Sequence, residues 1–259
     1  MVINEVFPNP TVKKVIFQIK FPNIFYMEKK IGDLQVKIME EFPKSSLLFR
    51  RQVVFVDMGP KGKMEEVSPP FDKGEFGRKI WQFESDKDYT LSVLTNSLDI
   101  TSEFHKTYAG NDPNKFRDII EFVVKHFFEV TSIPLLNRVG LRYIDECPLP
   151  SKDNETFKSW YNSAFPVNRF NIANADTMHF NTVTKKGEFY LRYAETLRKR
   201  KEKYILILDF DGFAKKVPSE KCLEVTDNLH RIISDEYEAT IKQRVYDYMR
   251  QKMEATENV

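Results

Sequence analysis

Apolar and polar residues alternate in segment after segment of this chain, and that period of two constrains the fold more than any other feature. In "TVKKVIFQIKFP", Val15, Phe17 and Ile19 fall on one side and lysine and glutamine on the other. The segments "RVGLRYIDE", "FYLRYAE" and "YILILDF" show the same pattern. Because successive side chains of a strand point to opposite faces, each segment predicts a strand with one buried face.

Helical patterns separate these strands in an order that occurs twice. Residues 8–133 contain a strand, the helical "IGDLQVKIMEEFP", the three strands "RRQVVFVDM", "RKIWQFES" and "YTLSVLTNSLDIT", and the helical "DPNKFRDIIEFVVKHFFEV". Residues 134–250 contain a strand, a short helix, three strands and one long helix that begins near Ser219. We therefore predict an α+β fold of two strand–helix–three-strand–helix repeats, which form one curved, mainly antiparallel sheet with helices on one face.

Linker composition gives no reason to divide the chain further. The longest stretch rich in Pro and Gly, residues 59–77, predicts a long hairpin loop within the first repeat. We expect residues 1–259 to form a single compact domain.

Charge and cysteine content limit the partners and the compartment. The 40 basic and 38 acidic residues leave a net charge of +2, so binding of nucleic acid would need a local basic patch. Cys147 and Cys222 have no metal-ligand spacing, and the first apolar run contains lysines, unlike a signal peptide. We expect a cytoplasmic protein with no membrane contact, no cofactor and no bound metal.

Motifs for catalysis are lacking in the sequence. The segment "YILILDFDGF" resembles the first motif of haloacid-dehalogenase-type phosphatases, but only one helical pattern follows it, so we interpret Asp209 and Asp211 as residues that end a strand before a turn. The histidines have no ligand spacing, and GxSxG, GxGxxG and Walker A sequences do not occur. We predict no catalytic residues.

Arginines occupy the polar side of two predicted strands. Arg138, Gly140 and Arg142 share one face, with the arginines about 13 Å apart, and Arg192 lies on the polar side of another strand. A glycine between arginines leaves room for a flat or anionic group, so these four residues are candidates for anion binding. The alternative is internal pairing with acidic residues of predicted strands, for which the candidates are Glu84, Glu146 and Glu188.

A basic run lies at a predicted hairpin tip. Arg198, Lys199, Arg200 and Lys201 are candidates for contact with nucleic-acid phosphates. The alternative is a solvated tip whose charges discourage edge-to-edge aggregation.

The segments "PNPTVKKVIFQIKF", "WQFESDKDYTLSVLTNSLDITSEFHKTY", "RVGLRYIDE" and "LDFDGF" with "LHRIISDEYEATI" run almost end to end. In this order they resemble a sporadically distributed family of uncharacterised bacterial and archaeal proteins, whose most specific segment is R-x-G-L-R-Y-I-[ND]. Asp145 stands where that family commonly has Asn. That family has no established activity or cofactor, so no catalytic residues carry over from the resemblance, and its patchy distribution is similar to that of defence-linked genes.

Two function classes follow. The first is a non-catalytic binding or scaffold protein with another protein as partner, within a prokaryotic antiviral or toxin–antitoxin system. The alternative is an enzyme that acts on nucleic acid or nucleotides through an arginine-lined groove.

Overall fold

The computed structural model describes residues 6–50, 78–110, 112–200 and 203–251. The strands are β1 (Val12–Lys20), β2 (Lys44–Arg50), β3 (Arg78–Glu84), β4 (Tyr89–Val93), β5 (Ser97–Ser102), β6 (Leu135–Pro148), β7 (Met178–Lys186), β8 (Phe189–Arg200) and β9 (Lys203–Pro218). The helices are α1 (Met27–Ile38), α2 (Phe116–Val130), α3 (Asn154–Trp160), α4 (Cys222–Thr240) and α5 (Gln243–Arg250).

The nine strands form one open sheet in the order β2-β3-β4-β5-β1-β6-β9-β8-β7, and all neighbours pair antiparallel. Strands β1 and β6 pair at its centre, where Phe17 lies opposite Leu141 and Leu141 opposite Gly212. The predicted α+β class is confirmed. We name the two sides of this sheet the helix face, which carries Phe17 and Leu141, and the polar face.

The core lies between the helix face and the helices. Phe17 and Leu141 are fully buried, and the rings of Phe21 on the sheet side and Phe127 on α2 lie 5.3 Å apart. A Cβ atom at Gly212 would lie 3.2 Å from Ile233 of α4, so the bare glycine allows that helix to pack closely. Each fully buried large apolar side chain contributes about 1.5–3 kcal/mol, so this face stabilises the sheet.

The two halves differ in strand number. The predicted strand "YTLSVLTNSLDIT" is a hairpin of β4 and β5, closed where the Leu94 N–H donates to the Ser97 carbonyl. Among the described residues, the first half therefore has four strands after α1, β2 to β5, whereas the second half has the predicted three. In both halves the last strand returns beside the first, β5 beside β1 and β9 beside β6. The internal repeat stays a prediction.

The long C-terminal helix is interrupted, which the sequence analysis did not predict. Helix α4 ends at Thr240, and Ile241 is extended and forms an isolated bridge with Tyr161 before α5 begins. The Thr240 hydroxyl donates to the Glu236 carbonyl, and two consecutive β-branched residues weaken the helix there.

Two earlier predictions fall largely outside the described residues. The strand predicted over 50–58 overlaps them only at Arg50, where β2 ends, and the loop predicted over 59–77 lies wholly outside them. Across the described ranges, no helix combines the length and apolar character needed to cross a membrane.

Candidate functional site

The predicted arginines lie on the polar face and are paired with aspartates. Arg142 donates from Nε and Nη2 to Oδ1 and Oδ2 of Asp209 at 2.7 and 2.6 Å, a bidentate geometry. Arg138 donates from Nη2 to Asp211 at 2.5 Å, and Nη2 of Arg192 lies 3.5 Å from Asp209 Oδ2. The structure thus brings the three arginines together around two carboxylates.

Gly140 leaves space that Arg138 itself occupies. A Cβ atom at Gly140 would lie 2.1 Å from Nη1 of Arg138, because this guanidinium lies directly over the glycine. The same guanidinium lies 5.0 Å from the ring centre of Phe213 and donates to Gln18. The space over Gly140, which the sequence left open for a flat or anionic group, is thus filled by a side chain of the protein itself.

Asp209 and Asp211 were misinterpreted from the sequence. They do not end a strand, because β9 continues to Pro218. Arg142 lies opposite Asp211 in the register, so both aspartates project from the polar face beside the arginines. The alternation in "ILDFDGF" contained this signal, since both aspartates alternate with buried residues.

The basic hairpin is separate from the arginine cluster. Arg198 and Lys199 are exposed near the end of β8, and Arg200 pairs with Lys203 in the β8–β9 register. Lys201 lies outside the described residues. Arg198 is six residues beyond Arg192 on the same strand, which corresponds to roughly 20 Å.

A cavity of about 100 Å³ lies on the helix face, between the sheet and α4. Strands β1 and β6, the segment after β5, helix α4 and helix α5 all contribute to its lining. Its lining is aromatic with a few polar groups, among them Phe7, Thr11, Lys106, Tyr108, Tyr143, Asp145, Phe210, His230, Ser234 and Tyr237. An apolar lining with few polar groups is shared with small-molecule sites, although this cavity is smaller than the roughly 300–1,000 Å³ of sites for drug-sized ligands.

Asp145 is the buried acidic group of this cavity. Its Oδ1 accepts a hydrogen bond from the Thr11 hydroxyl at 2.8 Å, and that hydroxyl lies 2.6 Å from the Tyr237 hydroxyl. Burial raises the pKa of Asp145 to about 7, and the Thr11 bond and the charges of Lys13 and Lys106 only partly oppose this. The carboxyl therefore changes its charge near neutral pH.

Tyr143 and His230, which both line the cavity, each have a buried polar atom without a hydrogen-bond partner among the described residues, the Tyr143 hydroxyl and Nδ1 of His230. The His230 ring stacks on Tyr108 with 4.1 Å between centres, and burial lowers the pKa of His230 to about 4, so the ring is neutral. Tyr108 itself is satisfied, since its hydroxyl donates to Asp227 at 2.6 Å. An unsatisfied buried polar group costs about 1–3 kcal/mol.

Sequence patterns did not predict this cavity. One signal was present, because Asp145 continues the apolar side of β6 that carries Leu141 and Tyr143, and a carboxylate on a buried face needs an explanation. The contribution of α4 had no local signal.

Neither cysteine is activated. Burial raises the pKa of the Cys147 thiol, and it raises that of Cys222 to about 12. Within the part of the chain that the structure describes, no three His, Cys, Asp or Glu side chains are grouped so that they could hold a metal ion.

Fold and site together define the class: an α+β protein with one open antiparallel sheet and a partly polar cavity between that sheet and a helix. No protein-family model, no curated protein and no solved structure matches this chain.

Proposed function

We propose that this chain is a non-catalytic binding protein that holds a small molecule in the cavity between the sheet and α4. One observation carries the proposal: Tyr143 and His230 each have a buried polar atom without a partner among the described residues, and both line the same cavity. Buried polar groups in folded proteins are nearly always paired, so two unpaired groups at one cavity indicate that a partner from outside the chain completes them.

The neighbouring polar groups support this interpretation. The hydroxyls of Thr11 and Tyr108 have partners within the chain, as does the Asp145 carboxylate. Among these polar groups of the cavity lining, the lack of hydrogen-bond partners is thus confined to Tyr143 and His230. Ordered water could also occupy the cavity and pair with these groups. A ligand is distinguished from water because the protein retains it through purification and releases it on denaturation as a molecule of defined mass.

The experiment compares wild type with Tyr143→Phe. Each purified protein is incubated with a metabolite extract, desalted and denatured, and the released molecules are identified by mass spectrometry. We expect wild type to release a molecule that Tyr143→Phe retains at least about tenfold less, since one hydrogen bond in a buried site contributes about 1.4 kcal/mol.

The matched control is Tyr190→Phe, which removes a phenolic hydroxyl from the polar face, where the Tyr190 ring stacks on Phe213. It should behave as wild type. Equal release from wild type and Tyr143→Phe would show that no ligand completes the unpaired Tyr143 hydroxyl, and this would contradict the observation on which the proposal rests.

A protein partner and a place in a prokaryotic defence system are further parts of this proposal. The protein partner rests on the lack of a catalytic motif in the sequence, and the defence system rests on the family resemblance. Co-purification from cells, with and without the molecule that the cavity retains, tests them.

A second candidate is an enzyme that acts on nucleic acid or nucleotides at the polar face. One observation favours it: three guanidiniums share two carboxylates, and Nε of Arg192 is buried with no partner among the described residues. Incubation with labelled RNA, DNA and nucleotides and a divalent metal tests it. Turnover that Arg192→Ala abolishes would support this candidate.

The basic hairpin has its own test. If Arg198 and its neighbours contact phosphates, binding of nucleic acid should weaken steeply with salt, and Arg198→Ala should reduce the salt dependence by about one ion. A binding curve that is insensitive to salt would contradict this contact.

A further inference from the structure

The size of the cavity limits its occupant. A cavity of about 100 Å³ is smaller than the roughly 150 Å³ in which an engineered protein holds benzene. The occupant, or the part of it that enters, is therefore about one small ring. On the sheet side, Tyr143 and Phe210 lie opposite each other in the register of β6 and β9, and Tyr237 approaches Phe210 from α4 with ring centres 6.0 Å apart. These aromatic walls suit a flat group.

The charges around the cavity disfavour an ionic occupant. Asp145 and Lys106 both line it, and the Lys106 ammonium donates to the carbonyls of Glu103 and Val12 rather than to Asp145. A cation would add a second positive charge near Lys106, and an anion would face Asp145. Since an unpaired buried ion costs several kcal/mol, an uncharged molecule is favoured.

The polar groups call for one donor and one acceptor on that molecule. The Asp145 carboxylate accepts, and the Tyr143 hydroxyl donates. Nδ1 of His230 is a second donor when the Ser234 hydroxyl, 3.4 Å from Nε2, donates to Nε2. We infer that the cavity binds an uncharged, flat molecule with adjacent N–H and C=O groups, a lactam or carboxamide, whose N–H donates to Asp145 and whose carbonyl accepts from Tyr143. This inference rests on the proposed function.

The charge state of Asp145 makes the inference testable by pH. The groups that face Asp145 are Thr11 and Lys13 at β1, Lys106 after β5, Tyr143 and Cys147 on β6, and Tyr237 on α4. Burial raises the pKa of Asp145 to about 7, and an N–H donor favours the ionised carboxylate. Binding of a molecule that does not itself titrate should strengthen about tenfold from pH 6 to pH 8 and release a proton.

The experiment uses two matched neutral probes and two charged ones on the full chain. The neutral pair is 2-pyridone, which has adjacent N–H and C=O groups, and N-methyl-2-pyridone, which lacks the N–H. Benzoate and benzylammonium are the charged probes. Calorimetric titrations at pH 6, 7 and 8 should give 2-pyridone a Kd at least about tenfold below that of its N-methyl analogue, corresponding to one hydrogen bond to a charged group.

Variants locate the binding. Tyr143→Phe should weaken 2-pyridone about tenfold, and Asp145→Asn should remove the pH dependence. Asp145→Asn changes a buried group and can therefore lower the stability of the fold. The comparison of the two pyridones across pH is made in wild type, so it tests the inference independently of this variant.

The outcomes separate the inference from the proposed function. Equal affinities for the two pyridones, no change with pH, or tighter binding of a charged probe that still depends on Tyr143 would overturn the ligand class and leave the binding function intact. If no probe binds but wild type retains a molecule dependent on Tyr143, the structure of that molecule decides the class. If no probe binds and wild type retains no molecule in a way that depends on Tyr143, the proposed function is wrong.

Discussion

The two faces of strand β6 differ in how completely their polar groups are satisfied. On the polar face, Arg138 and Arg142 reach aspartates of β9 at 2.5–2.7 Å. On the helix face, the Tyr143 hydroxyl has no partner among the described residues, and Asp145 is buried with a pKa raised by that burial. The pairing of Arg138 and Arg142 with aspartates has a structural explanation, whereas the buried hydroxyl of Tyr143 has no partner that would explain it. The proposed binding site is therefore the cavity, and the arginines of β6 follow the internal pairing that the sequence left open, with Asp209 and Asp211 as the partners.

The largest expected effect concerns Asp145 and pH. Its pKa of about 7 in the folded chain exceeds the value of about 3.9 for an unfolded aspartate, so the folded chain holds a proton that the unfolded chain has lost. This carboxyl consequently destabilises the fold as pH rises from 4 to 7, by up to roughly 4 kcal/mol. In Asp145→Asn this contribution is absent.

Two histidines oppose that trend and must be separated from it. Burial lowers the pKa of His105 and of His230 to about 4, so both stabilise the fold above pH 6.5 and lose this effect as pH falls towards 4. The difference between wild type and Asp145→Asn removes the histidine contribution. We expect that difference in unfolding free energy to change by about 1.4 kcal/mol per pH unit between pH 5 and 6.5, measured by urea unfolding. A constant difference would mean that Asp145 is ionised throughout.

The next effect tests the network of arginines and aspartates on the polar face. Asp209→Ala removes the carboxylate that binds Arg142 and approaches Arg192, and leaves both guanidiniums without it. Fully buried pairs cost 3–5 kcal/mol when broken and exposed ones under 1, and the Asp209 side chain is 15% exposed while that of Arg142 is 35% exposed. We expect a loss of roughly 2 kcal/mol in chemical unfolding, and binding in the cavity should be unchanged. A variant as stable as wild type would show that the network is not structural.

A smaller effect is expected at Gly140. In Gly140→Ala the new methyl group would displace the Arg138 guanidinium from its position over the glycine, and the bonds to Gln18 and Asp211 would break. Because a flexible side chain can move away, we expect a loss of only about 1 kcal/mol in the free energy of unfolding. The double variant Gly140→Ala with Arg138→Ala should lose nothing beyond Arg138→Ala alone. Additive losses would contradict the close contact.

The smallest effect is expected for Arg192. Its side chain is 40% exposed and its nearest carboxylate oxygen lies at 3.5 Å. Arg192→Met keeps the aliphatic stem, and we expect thermal unfolding to change by less than the equivalent of about 0.5 kcal/mol. A large loss would show that the third guanidinium belongs to the network.

Sequence patterns predicted which residues of a strand share a face better than they predicted where strands and helices end. The alternation of β1 and β6 correctly placed the arginines opposite the residues that pack under the helices. The breaks within "YTLSVLTNSLDIT" and at Ile241 were missed, because a tight turn and a single extended residue leave the apolar spacing on either side almost unchanged.

What the sequence determined by itself was local: which residues of a strand share a face, that the strands have one apolar side, and that long amphipathic helices cover it. The side-chain direction in a strand follows from the backbone of that strand alone. Only the tertiary structure decided that Asp209 and Asp211 neutralise the arginines and that His230 meets Tyr143 at one cavity. Those contacts join residues far apart in the chain, and they depend on strand register and on helix docking, both of which are set by the packing of the whole core.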